Sequence, residues 1–352
     1  LALLPMIAPP AIACAFHLYA PQDTLVDKML ASEHIVLAQI DENDTSRYQA
    51  ISAFKGGVDY VELPFAADTD IRLQLSLHPD HRVLFAREEA YGPWRQLAYL
   101  DAEFLSVVHH VSQQMDAWMF EDERLRYAYF AGLHDHANDD IRRLALAELD
   151  KAPYEVLRAL PMSVSTERMA QNFWDIDEAD YRAIKTLMLG MSDDAEAGQF
   201  LLTRYSDALA LGDPLRLGAA ATAYVEHAGL LGVSKVLSTL AETPDMDPDS
   251  AEILIEAMAI HDQVGDPVLK MAIETALADL LLDRPDLAGA AARQFGSRGG
   301  WGLAAPLERL MQDRRLLDLS DVLAVGQYVA LAREAQSSFL RGAPDAGGNE
   351  DT

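Results

Sequence analysis

The chain has 352 residues, of which half are hydrophobic and 24% are charged, with 28 Lys and Arg against 56 Asp and Glu. This composition is typical of a globular protein and not of a disordered chain. The formal net charge of −28 argues against binding to nucleic acid or to an anionic lipid surface, because both of these partners are themselves negatively charged. The same charge favours a basic protein or peptide, or a cation, as the partner.

The first thirteen residues are uncharged and mostly apolar, and they lead into Cys14, the only cysteine. Ala11 and Ala13 stand at the third-last and last positions before Cys14, as small residues do at the cleavage site of a secretory signal. We therefore expect residues 1–13 to be a signal peptide, the protein to be exported, and Cys14 to be the mature N-terminus.

The same junction resembles the lipobox of bacterial lipoproteins, in which the cysteine after the cut is lipidated. Ala11 stands where those proteins usually have Leu. The resemblance implies an envelope-anchored protein with its lipid on Cys14. That lipid would be the membrane contact, because no later apolar run reaches the ~18 residues that a membrane-spanning helix needs.

Residues 34–100 contain five short segments whose apolar runs or alternation predict β-strands, with turn signals at Lys55-Gly56-Gly57 and Tyr91-Gly92-Pro93 between them. The five predicted strands are His34–Ile40, Arg47–Phe54, Tyr60–Phe65, Arg82–Arg87 and Trp94–Leu100. So many short strands in so short a segment predict a small antiparallel β-barrel of OB-like type. Ala102–Met119 follows as a helix, because its apolar residues recur at helical spacing.

The order of Cys14, the strand His34–Ile40, the strand ending at Phe54-Lys55-Gly56-Gly57 and the strand Val83–Ala86 resembles the netrin-like, or tissue-inhibitor-of-metalloproteinase, module. In that family an OB barrel begins at a mature N-terminal cysteine. The resemblance covers about 90 residues and implies a barrel domain over residues 14–119. The cysteine pairs of the family are absent, so its inhibitory N-terminal wedge is not implied.

From Asp122 onward the sequence predicts only helices. Asp139, Asp213 and Asp266 each precede an apolar helical pattern, and the latter two are followed by Pro in the first turn, as at many helix starts. Further helices are predicted over 181–190, 196–209, 250–262, 303–312 and 320–335.

Short helices joined by acidic, Pro- and Gly-containing turns resemble HEAT repeats, which stack into a solenoid. The separation of the Asp-Pro starts is longer than the usual repeat period, so irregular repeats and a compact helical domain of another kind both stay open. We therefore predict an α+β multidomain protein: the small antiparallel β-barrel, an all-α HEAT-like solenoid over 120–340, and a disordered tail over 341–352.

His134-Asp135-His136, with His109-His110 upstream, resembles the pattern of HD phosphohydrolases. In that family an upstream His, a His-Asp pair and a distant Asp bind metal ions that activate water for phosphoester hydrolysis. The resemblance implies His110, His134 and Asp135 as metal ligands. The residues that follow, Ala137–Asp140, are instead typical of a loop and a helix cap. A turn between two helices is therefore our first interpretation.

Three other segments have both a functional and a structural interpretation. His78 and His81 flank a turn and suit either a metal site or an exposed loop, and Gly296–Gly302 suits either a phosphate loop or a helix connection. Aromatic residues gather over 118–130 and suit either packing or a partner surface. We take the structural interpretation each time. The sequence thus predicts no cofactor, no metal and a non-enzymatic, exported interaction scaffold, with an HD-type phosphohydrolase as the alternative.

The Cys14 junction gives a direct prediction. Protein recovered from its native envelope is expected to lack residues 1–13, and intact mass measurement checks this. An added mass of a diacylglycerol would show lipidation of Cys14, whereas an unmodified thiol would show export without an anchor. Retention of residues 1–13 would contradict the signal-peptide interpretation.

Overall fold

The computed structural model describes residues 21–89, 91–120, 122–171 and 173–342, without the side chains of residues 215 and 339–342. The predicted signal peptide, Cys14 and residues 343–352 of the predicted tail lie outside the described residues. The described chain forms two compact units, residues 21–162 (unit 1) and 163–342 (unit 2). Helices predominate beside one small antiparallel sheet, which confirms the predicted α+β class. Within the described ranges, no helix combines the length and apolar character needed to cross a membrane.

The sheet of unit 1 has four strands, β1 (His34–Ile40), β2 (Tyr48–Lys55), β3 (Arg82–Arg87) and β4 (Arg95–Leu100). They pair antiparallel in the order β2-β1-β3-β4. The two central strands are apolar and buried on both faces, whereas the edge strands β2 and β4 do not pair with each other. Over the described residues the sheet is therefore open, and the prediction of a closed barrel is wrong.

The predicted strand Tyr60–Phe65 is not a strand in the structure. Tyr60 has a φ of 61° and its side chain is fully exposed, so the chain turns there instead of extending. Pro64 has no N–H to donate to a sheet. Leu63 of this segment is buried in a small apolar core against the sheet. Ala66, just after the segment, forms an isolated antiparallel bridge with Arg47.

Each face of the sheet is covered by helices. One face, with Val36 and Phe85, packs against α2 (Thr69–Leu77) through Leu75. The other face packs in the main core of unit 1, to which four helices contribute buried side chains. These helices are α1 (Leu25–Ala31), α3 (Ala102–Phe120), α4 (Arg124–Ala131) and α5 (Asp139–Asp150).

Unit 1 thus extends beyond residue 119, the predicted end of the first domain. Phe130 of α4 and Ile141 of α5 are buried in the same core as Ile35 and Leu84 of the sheet. The short helix α6 (Tyr154–Ala159) also belongs to this unit. Helical periodicity shows that residues 122–162 are helices, but it does not show which core they join.

A buried ionic cluster joins α1, α4 and α5. The Arg126 guanidinium is 4% exposed; its Nε lies 2.5 Å from the Glu148 carboxylate and its Nη2 lies 2.7 Å from the Asp27 carboxylate. Lys151 also pairs with Asp27. Burial by itself would raise the pKa of Asp27, but hydrogen bonds from Lys151 and Arg126 hold that pKa at about 2. Burial raises the pKa of Glu148, against the effect of Arg126.

Replacement of Arg126 by Met is expected to destabilise unit 1 by about 3–5 kcal/mol, because it leaves the fully buried Glu148 without its cation. The double variant Arg126→Met, Glu148→Leu should recover most of this loss. Hydrogen exchange of peptides from β1 and α3 measures the effect within unit 1. The control is Arg95→Ala, which removes an exposed ion pair with Glu88. An effect of Arg126→Met no larger than that of the control would contradict the structural role of the cluster.

All the regular secondary structure described for unit 2 is helical. Its α-helices are α7 (Thr166–Gln171), α8 (Arg182–Gly190), α9 (Ala197–Leu211), α10 (Pro214–Ala228), α11 (Leu230–Glu242), α12 (Pro248–Val264), α13 (Pro267–Asp283), α14 (Ala288–Ser297), α15 (Ala304–Gln312) and α16 (Leu319–Gly342). Short 3₁₀ helices span Ile176–Tyr181 and Pro285–Leu287. Asp213 and Asp266 accept backbone hydrogen bonds at the starts of α10 and α13, which confirms both predicted starts.

Alternate helices of unit 2 pack in rows. Helices α8, α10, α12, α14 and α16 pack side by side in this order, and α11, α13 and α15 do the same in a second row. Helix α9 packs against α8 and α10. One large cluster of buried apolar side chains lies among α9 to α16. At the α8–α10 end of the unit, α7 and the first 3₁₀ helix pack against α8.

Candidate functional site

An open apolar pocket with a volume of about 490 Å³ lies in unit 2, among the first 3₁₀ helix, α8, α9 and α10. We call it the Trp174 pocket. Its volume is in the range of sites that bind small ligands or a few side chains. The pocket is lined by Phe173, Trp174, Ala179, Asp180, Arg182, Ala183, Thr186, Arg204, Asp207, Ala208, Ala210, Leu211, Asp213, Arg216, Ala219 and Ala220.

Small side chains from three helices contribute to the lining of the pocket. Ala183 of α8, Ala208 of α9 and Ala220 of α10 are among them, and Ala208 and Ala220 also belong to the buried apolar cluster of the unit. The result is an open, mostly apolar space among three helices, of a size that can receive an apolar group.

Aromatic rings form one wall of the pocket. Phe173 is buried and meets the Trp174 ring edge-on, with their centroids 5.2 Å apart, and it meets Phe200 of α9 in the same way at 5.4 Å. Trp174 itself is 59% exposed, and Leu211, which also lines the pocket, is 68% exposed. Large exposed side chains beside a pocket are typical of residues that anchor a partner.

Arg182 fixes the turn that presents Trp174. Its Nε donates to the carbonyl of Phe173 at 2.7 Å, and its Nη2 donates to the carbonyls of Trp174 and Asp175 at 3.1 Å. Its guanidinium also lies 5.6 Å from the centroid of the Trp174 ring. The backbone of the aromatic wall is therefore tied to α8 by one side chain.

Arg204 of α9 lies beneath the aromatic wall. Its guanidinium carbon is 4.6 Å from the Trp174 centroid and 5.2 Å from the Phe200 centroid, both within cation–π distance. Its Nη2 pairs with Asp207 at 2.9 Å. The Nε and Nη1 atoms are buried, and no described residue accepts a hydrogen bond from them.

The polar groups that line the pocket are arginines, aspartates and one threonine. Among the described lining residues there is no serine, histidine, cysteine or lysine, and the Thr186 hydroxyl donates to the carbonyl of Arg182 at 2.7 Å. The remaining polar groups are arginines and aspartates. Asp207 pairs with Arg204, and Asp213 pairs with Arg216.

The residues of the HD-type pattern are not brought into one metal site. His110 on α3 stacks on Tyr129 with centroids 4.1 Å apart, and the Nδ1 of the buried His134 is hydrogen-bonded to the carbonyl of Ala131 at 2.6 Å. His134 and Asp135 lie in the turn between α4 and α5, as the first interpretation has it. Across the described ranges, no three or more His, Cys, Asp or Glu side chains are arranged to hold a metal ion.

The other histidine and aromatic segments make local contacts in unit 1. The rings of His78 and His81 stack with centroids 4.5 Å apart, and the His81 Nδ1 is hydrogen-bonded to the Tyr99 hydroxyl at 2.6 Å. Trp118 and Phe130, from the aromatic segment 118–130, are buried in the main core of the unit. The two histidines and these two aromatic side chains therefore have structural contacts, whereas Phe120 of the same segment is exposed.

The glycine-rich segment Gly296–Gly302 connects α14 to α15 and packs on two carboxylates. A Cβ atom at Gly300 would lie 2.7 Å from the Asp262 carboxylate, and one at Gly302 would overlap the Glu274 carboxylate. The Tyr328 hydroxyl donates to the carbonyl of Gly300 at 2.5 Å and holds the loop in place. The glycines therefore permit close packing and do not form a phosphate loop.

Asp262 is the most perturbed acid in this region. It is 2% exposed, its Oδ1 has no hydrogen-bond partner among the described residues, and the Lys270 ammonium is 3.4 Å from its Oδ2. Burial raises the pKa of Asp262 to about 6; Lys270 lowers it and the nearby Glu274 raises it.

Comparison of the chain with known protein families, with curated proteins and with solved structures gives no match. Neither Trp174 nor Arg204 was among the site residues predicted from the sequence. The available signal was the adjacent Phe173-Trp174 pair, in an acidic segment with no helical period.

Replacement of Asp262 by Asn is expected to stabilise unit 2 above pH 6. The pKa is about 6 in the folded state and about 3.9 in an unfolded chain, so the stability linked to the protonated acid is complete below pH ~4 and lost as the pH rises through 6. Asn keeps the shape of the protonated acid and does not ionise. The variant should therefore gain about 1 kcal/mol at pH 4.5 and on the order of 3 kcal/mol at pH 7.5.

Urea unfolding at both pH values measures this gain. Trp301 in the glycine-rich loop is the fluorescent reporter, with Trp94, Trp118 and Trp174 replaced by Phe, and Asp279→Asn on the exposed face of α13 is the control. An equal gain at both pH values would show that ionisation of Asp262 is not the cause.

Proposed function

We propose that this chain is a non-enzymatic binding protein of the bacterial envelope and that its helical unit holds a partner protein at the Trp174 pocket. The observation that carries the proposal is an open, mostly apolar pocket beside the exposed Trp174 and Leu211. A buried apolar anchor surrounded by polar residues is the usual form of a protein-binding hot spot.

A HEAT-like relationship is part of this proposal. The two rows of alternating helices in unit 2 support it, because helix pairs stack in this way in α-solenoids. Stacked pairs offer a long surface on which a partner can bind at several points. The Trp174 pocket, at the α8–α10 end of the unit, would be one of those points.

The charge of the chain supports a basic partner. The support comes from the net charge of −28, because the lining of the pocket itself is balanced, with three aspartates and three arginines. Long-range attraction of this kind mainly raises the association rate and is weakened by salt. Export and lipidation of Cys14 complete the proposal, since an anchored scaffold would present unit 2 to partners within the envelope.

Replacement of Trp174 by Ala is expected to weaken partner binding by about 30-fold, since hot-spot residues contribute about 2 kcal/mol or more. The experiment is a quantitative pull-down from envelope extract with the immobilised full chain, at 0.1 M and 1 M salt. Tyr91→Ala is the matched control, because Tyr91 is an exposed aromatic residue of unit 1. Capture that is equal for Trp174→Ala and the parent chain, or that does not change with salt, would contradict the proposal.

A further inference from the structure

We propose that the Trp174 pocket also binds a free small molecule, and that this ligand is uncharged and mostly hydrocarbon. The inference is carried by the lining of the pocket, which is mainly apolar and whose charged groups either have partners already or offset one another. It deepens the proposed function and rests on it in one respect, because such a ligand would compete with a partner protein for the same site.

The apolar part of the lining comes from every element around the pocket. It includes Trp174 just before the first 3₁₀ helix, Ala183 of α8, Leu211 of α9 and Ala220 of α10. Contact with such surfaces is favourable for any apolar group, because it removes hydrocarbon from water and needs no particular direction. The volume of about 490 Å³ is in the range of sites that enclose small molecules. Size and hydrophobic contact therefore favour a hydrocarbon ligand.

Two of the three arginines of the lining form ion pairs within the pocket. Nη2 of Arg204 lies 2.9 Å from the Asp207 carboxylate, and Nε of Arg216 lies 3.1 Å from the Asp213 carboxylate. A charged ligand can bind one of these groups only by competing with a partner that is already in contact with it. These pairs therefore favour neither an anion nor a cation.

The remaining charges of the lining, Arg182 and Asp180, have opposite signs and are two residues apart in the chain. Arg182 donates to three backbone carbonyls just before the first 3₁₀ helix. An ion near both groups gains little, because attraction to one is opposed by repulsion from the other. The Thr186 hydroxyl is also in use, since it donates to the carbonyl of Arg182 at 2.7 Å.

The two donors of Arg204 that lack an acceptor do not alter this balance. Its Nε and Nη1 are buried, so they present no accessible surface to a ligand. The rings of Trp174 and Phe200 lie against the guanidinium, with their centroids 4.6 and 5.2 Å from its central carbon. A ligand therefore gains contact with the Trp174 ring here but no hydrogen bond from these two atoms.

A charged ligand would lose more than it gains in this pocket. It would give up hydration in a mostly apolar space, where the described lining residues offer no net counter-charge. An uncharged hydrocarbon has no such loss and keeps the full benefit of leaving water. Discrimination against both signs of charge is therefore the property that distinguishes this ligand class.

The test uses two pairs of naphthalene dyes, each with an uncharged and a charged member. N-phenyl-1-naphthylamine is compared with 8-anilino-1-naphthalenesulfonate, an anion, and N-ethyl-1-naphthylamine with N-(1-naphthyl)ethylenediamine, a cation. Fluorescence titration of the full chain at pH 7.5 should show about tenfold tighter binding, or more, for each uncharged dye. The net charge of −28 repels the anion but attracts the cation, so by itself it does not explain weaker binding of both.

Matched substitutions locate the dye. Ala183→Leu extends an apolar side chain along the pocket and should weaken binding of N-phenyl-1-naphthylamine by about tenfold or more. Ala276→Leu makes the same change in a second apolar depression, between α11 and α13, and should leave the affinity within about twofold. Trp174→Ala removes an exposed part of the pocket wall and should also weaken binding. Circular dichroism of each variant reports whether it is folded.

A charged dye that binds as tightly as its uncharged counterpart, or an affinity unchanged in both Ala183→Leu and Trp174→Ala, would overturn the inference. The absence of binding of both uncharged dyes up to their solubility limits would do the same. The proposed function would still stand in these cases if partner capture depends on Trp174. Dye binding as expected, with capture that does not depend on Trp174, would overturn the proposed function and leave the ligand site. Saturating N-phenyl-1-naphthylamine should reduce Trp174-dependent capture, and undiminished capture would overturn the competition.

Discussion

Within each unit, buried guanidinium groups hold neighbouring helices in one arrangement. With one cysteine the chain can form no internal disulfide, so its stability comes from packing and from the few charges that packing encloses. Arg126 joins three helices of unit 1 through two carboxylates, and Arg298 joins α12 to the end of α14 through Glu256. Such pairs contribute little net free energy, but each tolerates only one geometry, since separation leaves a buried charge alone. Arg204 differs from both because its partner is exposed and two of its donors are unused.

Elements whose signal is local were predicted well from the sequence. The strands His34–Ile40 and Arg82–Arg87 have the predicted bounds, because a strand buried on both faces appears in the sequence as a short apolar run. The helix starts at Asp213 and Asp266 were equally clear, since the cap and the proline act within one turn. Barrel closure failed because it depends on which edge strands meet, and that pairing is set by contacts distant in sequence.

The candidate site lay beyond sequence reasoning for a related physical reason. Residue type does not reveal a pocket, because Ala183 and Ala208 are equally apolar in the sequence whether they line a pocket or a filled core. The histidines, by contrast, suggested a metal site through their residue type alone. In the structure His110 stacks on an aromatic ring and His134 forms a hydrogen bond with a backbone carbonyl. Residue type indicates chemistry only when the fold brings the residues together, and here it does not form a group of metal ligands within the described chain.

The alanines of the Trp174 pocket also bear on how this protein can change over evolutionary time. Ala208 and Ala220 are almost fully buried and belong to the main apolar cluster of unit 2, so a longer side chain at either position would overpack the core. Ala183 is only partly buried, so a longer apolar side chain there would extend along the pocket and narrow the set of ligands that fit. Selection for stability therefore fixes two of these alanines, and selection for a different partner would act first on the third.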